Sequence, residues 1–101
     1  MTVRGSAFYT KGDLDHAMSD FDQAIRLDPN YAQAFNNRGY LYDDKGQYDR
    51  AIADFDQAIR LNPKYAQAFN NRGLAKRDLP DFAGGDADIA KAKQLNPSVG
   101  N

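Results

Sequence analysis

The sequence predicts an all-α fold of antiparallel helix pairs stacked side by side, and three observations predict it. The first is a fixed period. The stretch YAQAFNNRG at Tyr31–Gly39 returns verbatim at Tyr65–Gly73, 34 residues on, and the blocks Asp20–Gly39 and Asp54–Gly73 differ only at Asp28/Asn62 and Asn30/Lys64. A repeat of that length is one supersecondary unit that cannot bury its apolar face alone and so must match its neighbours. The second is punctuation. Pro29, Pro63 and Pro97 each follow Leu-Asp or Leu-Asn at the end of an apolar helical run, where a proline ends a helix. Gly12 and Gly46 lie midway between, each after a lysine, where a helix needs a left-handed residue to stop. The third is the alternation of small and large residues at helical spacing, which lets backbones approach while rings fill the space beside them.

Taken in order, the expected helices span about 2–10, 14–27, 33–45, 48–61, 67–78 and 81–95. The first is short: Met1 holds the register of Phe35 and Phe69, so the counterparts of Ala32, Gln33 and Ala34 are missing. The chain either starts there or has lost an upstream portion. Close approach is expected at Gly5/Gly39/Gly73, Ala17/Ala51/Gly85 and Ala24/Ala58/Ala92, with rings at Phe21/Phe55/Ile89 and Leu14/Tyr48/Phe82. In the second unit Phe35, Gly39 and Tyr42 share one stripe of the first helix, and Tyr48, Ala51, Phe55 and Ala58 share one of the second. The last pair departs from the pattern. Lys76 replaces the ring of Phe8 and Tyr42, Pro80 replaces Gly46, and Asp86 and Lys93 stand where Ile52 and Ile59 stood. Charging that face reads as a terminal cap, and Gly84-Gly85 weakens the last helix by roughly 1 kcal/mol per glycine. The opposite edge, with Val3, Ala7 and Phe8, carries no polar cap. It invites a second copy of the chain, by homodimerisation or helix exchange.

Period, small-residue positions, ring positions and terminal prolines together resemble the tetratricopeptide repeat (TPR) family over nearly the whole chain. The resemblance implies a single domain of units at about 1–31, 32–65 and 66–99. It also implies a right-handed superhelix of three antiparallel helix pairs, six helices in all, with the first pair shortened. Arg38 departs from the family, which usually has Leu there. Arg38 and its counterpart Arg72 are expected to pack their stems near the helix seam and reach an Asp or a carbonyl of the preceding second helix. The family's first helices line a concave groove. That places Gln33, Asn37, Tyr40 and Asp44 of the second unit in it, Gln67, Asn71, Leu74 and Asp78 of the third, and Thr2, Ser6 and Tyr9 of the first. Asn37 and Asn71 share a register, and a carboxamide can pair with peptide backbone through both its donor and its acceptor. The competing reading is that these asparagines bond neighbouring helices. The family's clamp for chaperone-tail carboxylates needs Lys and Asn at Thr2 and Ser6, Asn at Asn37, and Lys and Arg at Gln67 and Asn71. Only Asn37 matches, so no such clamp is expected.

Composition narrows the rest. A chain of 101 residues with 42% hydrophobic content and a formal charge of −1 fits one globular domain with a modest core. Its charge makes no electrostatic case for nucleic acid. All acidic residues are Asp, a poorer helix former than Glu, so the helices must lean on packing. There is no cysteine, and no apolar run approaches a membrane span. The start lacks a signal peptide's apolar core, so the cytoplasm is the default location unless an upstream segment has been lost. No catalytic, metal or cofactor constellation stands out. His16, beside Asp13 and Asp15, reads as a solvated surface residue, since no second imidazole or thiolate completes a metal site. The pairs Asp20/Asp22 and Asp54/Asp56 read as exposed flanks of Phe21 and Phe55. The expected function is a non-catalytic module binding a protein segment or helix, with self-association through the N-terminal edge as the alternative.

Overall fold

The computed structural model describes residues 11–99. Within them lie five helices, α1 (Lys11–Leu27), α2 (Ala32–Asp44), α3 (Tyr48–Leu61), α4 (Ala66–Asp78) and α5 (Phe82–Leu95), and no strand. The sixth expected helix, 2–10, lies outside the described residues, as do Val3, Gly5, Ala7 and Phe8. Within the described chain the count is therefore five, and the other boundaries fall within a few residues of expectation. The largest shift is at α1, which begins at Lys11 and runs through Gly12. Gly12 is thus not the helix stop that its likeness to Gly46 implied.

The helices alternate along the stack. α2 packs on α3 and α4 on α5 as hairpins, and α1 meets α2 as α3 meets α4. The hairpin tip 45–47 closes where Gly46 takes φ 78°. Its N–H donates to the Asp43 carbonyl at 3.0 Å, and Gln47 N–H donates to the Tyr42 carbonyl at 2.9 Å. The tip 79–81 has Pro80 instead and needs no left-handed residue; Asp81 caps α5 by accepting from Gly84 N–H at 3.0 Å. The links between units share one device. Asp28, Asn62 and Asn96 each stop a helix and accept, through Oδ1, the backbone N–H two residues on, at 3.1, 3.2 and 3.1 Å. This side-chain turn brackets the proline that prevents the helix from continuing.

The core is a line of small residues and one ring. Ala51, Phe55, Ala58, Ala68, Ala75 and Ala92 are fully buried. Tyr40, Tyr42 and Ile52 pack around Ala51, Phe55 and Ala75. A β-carbon on Gly39 would meet Phe55 Cε1 at 2.7 Å and the Ala51 carbonyl oxygen at 3.0 Å. On Gly73 it would meet the Gly85 carbonyl oxygen at 2.6 Å and Ile89 Cγ1 at 2.8 Å. Gly85 is therefore more than a weak point in α5: it lets α4 and α5 close on each other. Asp86 and Lys93 are exposed, as expected of the C-terminal face. Phe82 departs from its ring series, being 55% exposed with Arg77 over its face. Val99, two residues past the last proline, is buried.

The crossings yield a stability prediction. Gly73→Ala is expected to cost about 1–3 kcal/mol, because its methyl meets a backbone oxygen that cannot swing aside. Urea unfolding reads this directly, and an unchanged midpoint would refute the close approach.

Candidate functional site

The side chains with the most specific geometry are the two arginines that replace a usual leucine. Arg38 donates from Nε and Nη2 to the two carboxylate oxygens of Asp54, both at 2.8 Å, and from Nη1 to Asp22 at 3.0 Å. Arg72 repeats this one unit on, with Asp88 held twice at 2.8 Å and Asp56 once at 2.8 Å. Each guanidinium thus forks onto the second helix of its own hairpin and reaches back to the second helix of the unit before. The expectation named only the preceding helix; the two-pronged bond to the same hairpin is the stronger half. The guanidinium groups also lie over rings, with Arg38 Cζ 5.6 Å from the Phe35 centroid and Arg72 Cζ 5.3 Å from that of Phe69.

Asp20 is exposed, as read, but these bonds correct the reading of Asp22, Asp54 and Asp56 as solvated flanks. Asp54 and Asp88 are buried, and Asp22 and Asp56 are half-exposed but paired. Residues two apart on a helix face different neighbours, so one carboxylate of the Asp54/Asp56 pair serves its own hairpin and the other the next unit. Burial pushes the Asp88 carboxyl up, but hydrogen bonds and charge from Arg72 and Lys76 outweigh this and hold it below the ordinary carboxylate value. Lys76 Nζ lies 3.0 Å from Asp88. The hydrogen bond to Asp54 raises Arg38 above its ordinary value against the opposing effect of burial.

The expected groove residues occupy α2 and α4, which lie side by side. Gln33 and Asp78 are exposed, and Asn37, Tyr40, Asp44, Gln67 and Leu74 are half-buried. Asn71 is buried and doubly engaged: its oxygen accepts from Gln67 Nε2 at 3.0 Å, and its nitrogen donates to Asn36 at 3.1 Å. Asn36, unmarked by the sequence reading, links α4 to α2 and also bonds Tyr65. Its signal was available, because Asn36 and Asn70 repeat in register. Asn37 has a different setting from Asn71. With Ala17, Phe21, Tyr40 and Leu41 it lines a cavity of about 280 Å³ between α1 and α2. His16 is exposed, and among the described residues no three metal-binding side chains converge. No helix among them is long and apolar enough to cross a membrane.

Helical hairpins stacked at a 34-residue period, each crossing built on a glycine, define a helical-repeat protein. The sequence matches the model described as Tetratricopeptide repeat over residues 32–65 and that described as TPR repeat over residues 5–45. The chain belongs to the tetratricopeptide repeat family. Among solved structures it resembles the first TPR of Spaghetti (RPAP3) bound to the HSP90 peptide SRMEEVD. The TM-score is 0.83 at 24% identity, over 94% of this chain and 75% of that one, a likeness of fold. The second TPR of the same protein, bound to the same peptide, gives 0.81 at 29% identity over 92% and 86%. MamA gives 0.78 at 27% over 92% of this chain and 51% of that one, so the chain spans about half the length of MamA. No curated protein sequence matches.

Two predictions follow from the arginine forks. Arg38→Leu leaves Asp54 buried without its partner and is expected to cost about 2–4 kcal/mol, discounted because Arg38 is itself partly exposed. Arg38→Leu with Asp54→Leu should recover most of that in chemical denaturation, and equal losses in the single and double variants would refute the coupling. The second concerns pH. Asp88 binds its proton less readily folded than unfolded, so its contribution is complete above a pH of about 4 and is lost as pH falls through the lowered folded value. Asp88→Asn should therefore flatten the acid limb of the stability profile, and parallel profiles for the two proteins would contradict the pairing.

Proposed function

We propose that the chain is a non-catalytic interaction module that holds an extended peptide segment or a helix across α2 and α4. The residues offered are Gln33, Asn37, Tyr40, Asp44, Gln67, Asn71, Leu74 and Asp78. The observation that carries this reading is the division of labour along α2. Arg38 and Gly39 are spent on packing and on the forks to α1 and α3, while Asn37 and Tyr40 line an open cavity and Gln33 faces solvent. Membership in the family and the peptide-bound neighbours support a protein or peptide as the ligand class. The units 1–31, 32–65 and 66–99 would act as one domain. Asn71 contributes by fixing the spacing of α2 and α4 rather than as a free rung, so the exposed amides and the Tyr40 and Leu74 side chains carry the contact.

The ligand is not the acidic tail peptide of the Spaghetti complexes. Of the five positions the family clamp requires, Thr2, Ser6, Asn37, Gln67 and Asn71, only Asn37 has the needed side chain, and no cation stands at Gln67 or Asn71. Self-association through the N-terminal edge is a second reading, favoured by the cavity between α1 and α2.

A peptide selected from a display library against the wild-type chain tests the groove. Asn37→Ala is expected to weaken it about fivefold, the worth of one hydrogen bond, while the exposed α5 variant Lys91→Ala leaves affinity unchanged. The peptide SRMEEVD should give no binding heat. Equal affinity for wild type and Asn37→Ala would move the site off this face, and tight SRMEEVD binding would restore the clamp.

A further inference from the structure

One stripe of α3 seats the unit that follows it. Its residues are Tyr48, Ile52, Asp56 and Ile59, all half-buried. Ile52 packs on the cluster that includes Ala75 of α4, and Asp56 accepts from Arg72 of α4 at 2.8 Å. Tyr48 shares a cavity with Leu79, at the end of α4. The same positions on α5 are Phe82, Asp86, Ala90 and Lys93, and all of them are exposed. At helical spacing they fall within about 80° of one another, so they form a single face. α5 thus keeps the position of a helix seat but carries different chemistry on it.

That chemistry is self-complementary. Asp86 and Lys93 carry opposite charges two turns apart, about 10 Å along the axis, too far to bridge each other. Ala90 lies between them and leaves room for a close backbone approach. Lay a second α5 antiparallel on the first, and each Asp86 meets the other's Lys93 while the two Ala90 side chains meet near the centre. Phe82, a ring left 55% exposed, then reaches the C-terminal end of the facing helix. Antiparallel axes also set the helix dipoles in the favourable sense. Arg77 Nε approaches Asp86 only at Oδ1, at 3.7 Å, which leaves Oδ2 for the second copy. Among the described residues no carboxylate is bridged to Lys93.

We propose that the Phe82/Asp86/Ala90/Lys93 face of α5 docks on the same face of a second copy, antiparallel about a two-fold axis. Solubility alone asks for charge of either sign on a terminal face. Opposite signs at the two ends of one stripe are what a contact between identical surfaces uses, because each end then finds its complement in the other copy. The contact is separate from the groove across α2 and α4, and from the N-terminal edge. One helix against another makes a small interface of the transient class, so association is expected only at high concentration.

Charge exchange in the full chain tests it, with mass read by sedimentation equilibrium and helicity by circular dichroism. Wild type is expected to approach twice the chain mass at millimolar concentration. Asp86→Lys alone sets lysines against lysines and Lys93→Asp alone sets carboxylates against carboxylates. Each is expected at the single-chain mass with helicity retained. An equimolar mixture of the two restores both pairings between chains and should return to the wild-type mass, as should Asp86→Lys with Lys93→Asp in one chain. Lys91→Asp, on another face of α5, is expected to associate as wild type does. The doubly exchanged chain carries the wild-type net charge, so its behaviour decides the question even if a single variant unfolds. A wild type that stays at the single-chain mass overturns the proposal. So does a dimer that persists in both single variants, or single variants that stay monomeric when mixed, since association would then rest on another surface.

Discussion

The distance between helix backbones at the glycine crossings governs the rest of this structure. At Gly39 the room for a β-carbon is already taken by Phe55, and at Gly73 by the backbone of Gly85. Such contact lets Phe55 be fully buried by flanking alanines, in a chain whose core holds few large side chains. It also sets the reach of the neighbouring residue. Arg38 and Arg72 immediately precede the crossing glycines, so their guanidinium groups arrive at the second helices already close enough for a two-pronged bond. Moving the helices apart by one methyl group would loosen both the packing and the ion pairs at once.

The arginine forks give the stack its register. One carboxylate from the same hairpin and one from the preceding unit fix each guanidinium from two sides, as Asp54 and Asp22 fix Arg38. The exclusive use of Asp fits this geometry. At the observed spacing Glu would carry its carboxylate a methylene farther and lose the match, although it would favour the helix. Asp88 serves its own hairpin, while Ala90 stands where Asp22 and Asp56 reach the following unit. α5 therefore presents no second carboxylate in that register, consistent with the charged, exposed positions Asp86 and Lys93 on the same helix.

Helix order, the links at Pro29, Pro63 and Pro97, and the small-residue crossings were legible because each is local chemistry repeated in register. What misled was environment. The Asp54/Asp56 pair looked solvated because helical spacing tells which residues share a face, not what that face meets. Gly12 resembles Gly46, yet one is helical and the other left-handed, because a glycine permits a turn without enforcing it. Asn37 and Asn71 are the same residue in the same nine-residue string. Asn71 is locked between Gln67 and Asn36 of the neighbouring first helix, whereas Asn37 faces the cavity beside α1. For the candidate site, the sequence identified the helices and the register but could not rank the rungs.

The boundaries of the duplicated block show what the repetition preserves. Asp20–Gly39 and Asp54–Gly73 are not repeat units: each spans the end of a second helix, the proline link and the first half of the next unit's first helix. The near-identical segment is therefore the joint between units. Its two differences fall where a change costs nothing. Asp28 and Asn62 both accept through Oδ1, and Asn30 and Lys64 contribute only their backbone N–H. Beyond Gly39 and Gly73 the copies diverge, and so do their hairpin tips, one closed by Gly46 and the other by Pro80 and the Asp81 cap. A joint must fit a surface the chain itself supplies, and a tip meets mostly solvent. Stacking thus depends on the inter-unit half of each repeat. Tyr40 and Leu74, the first point of divergence after the crossing glycines, are where two otherwise matched first helices can offer a ligand different chemistry.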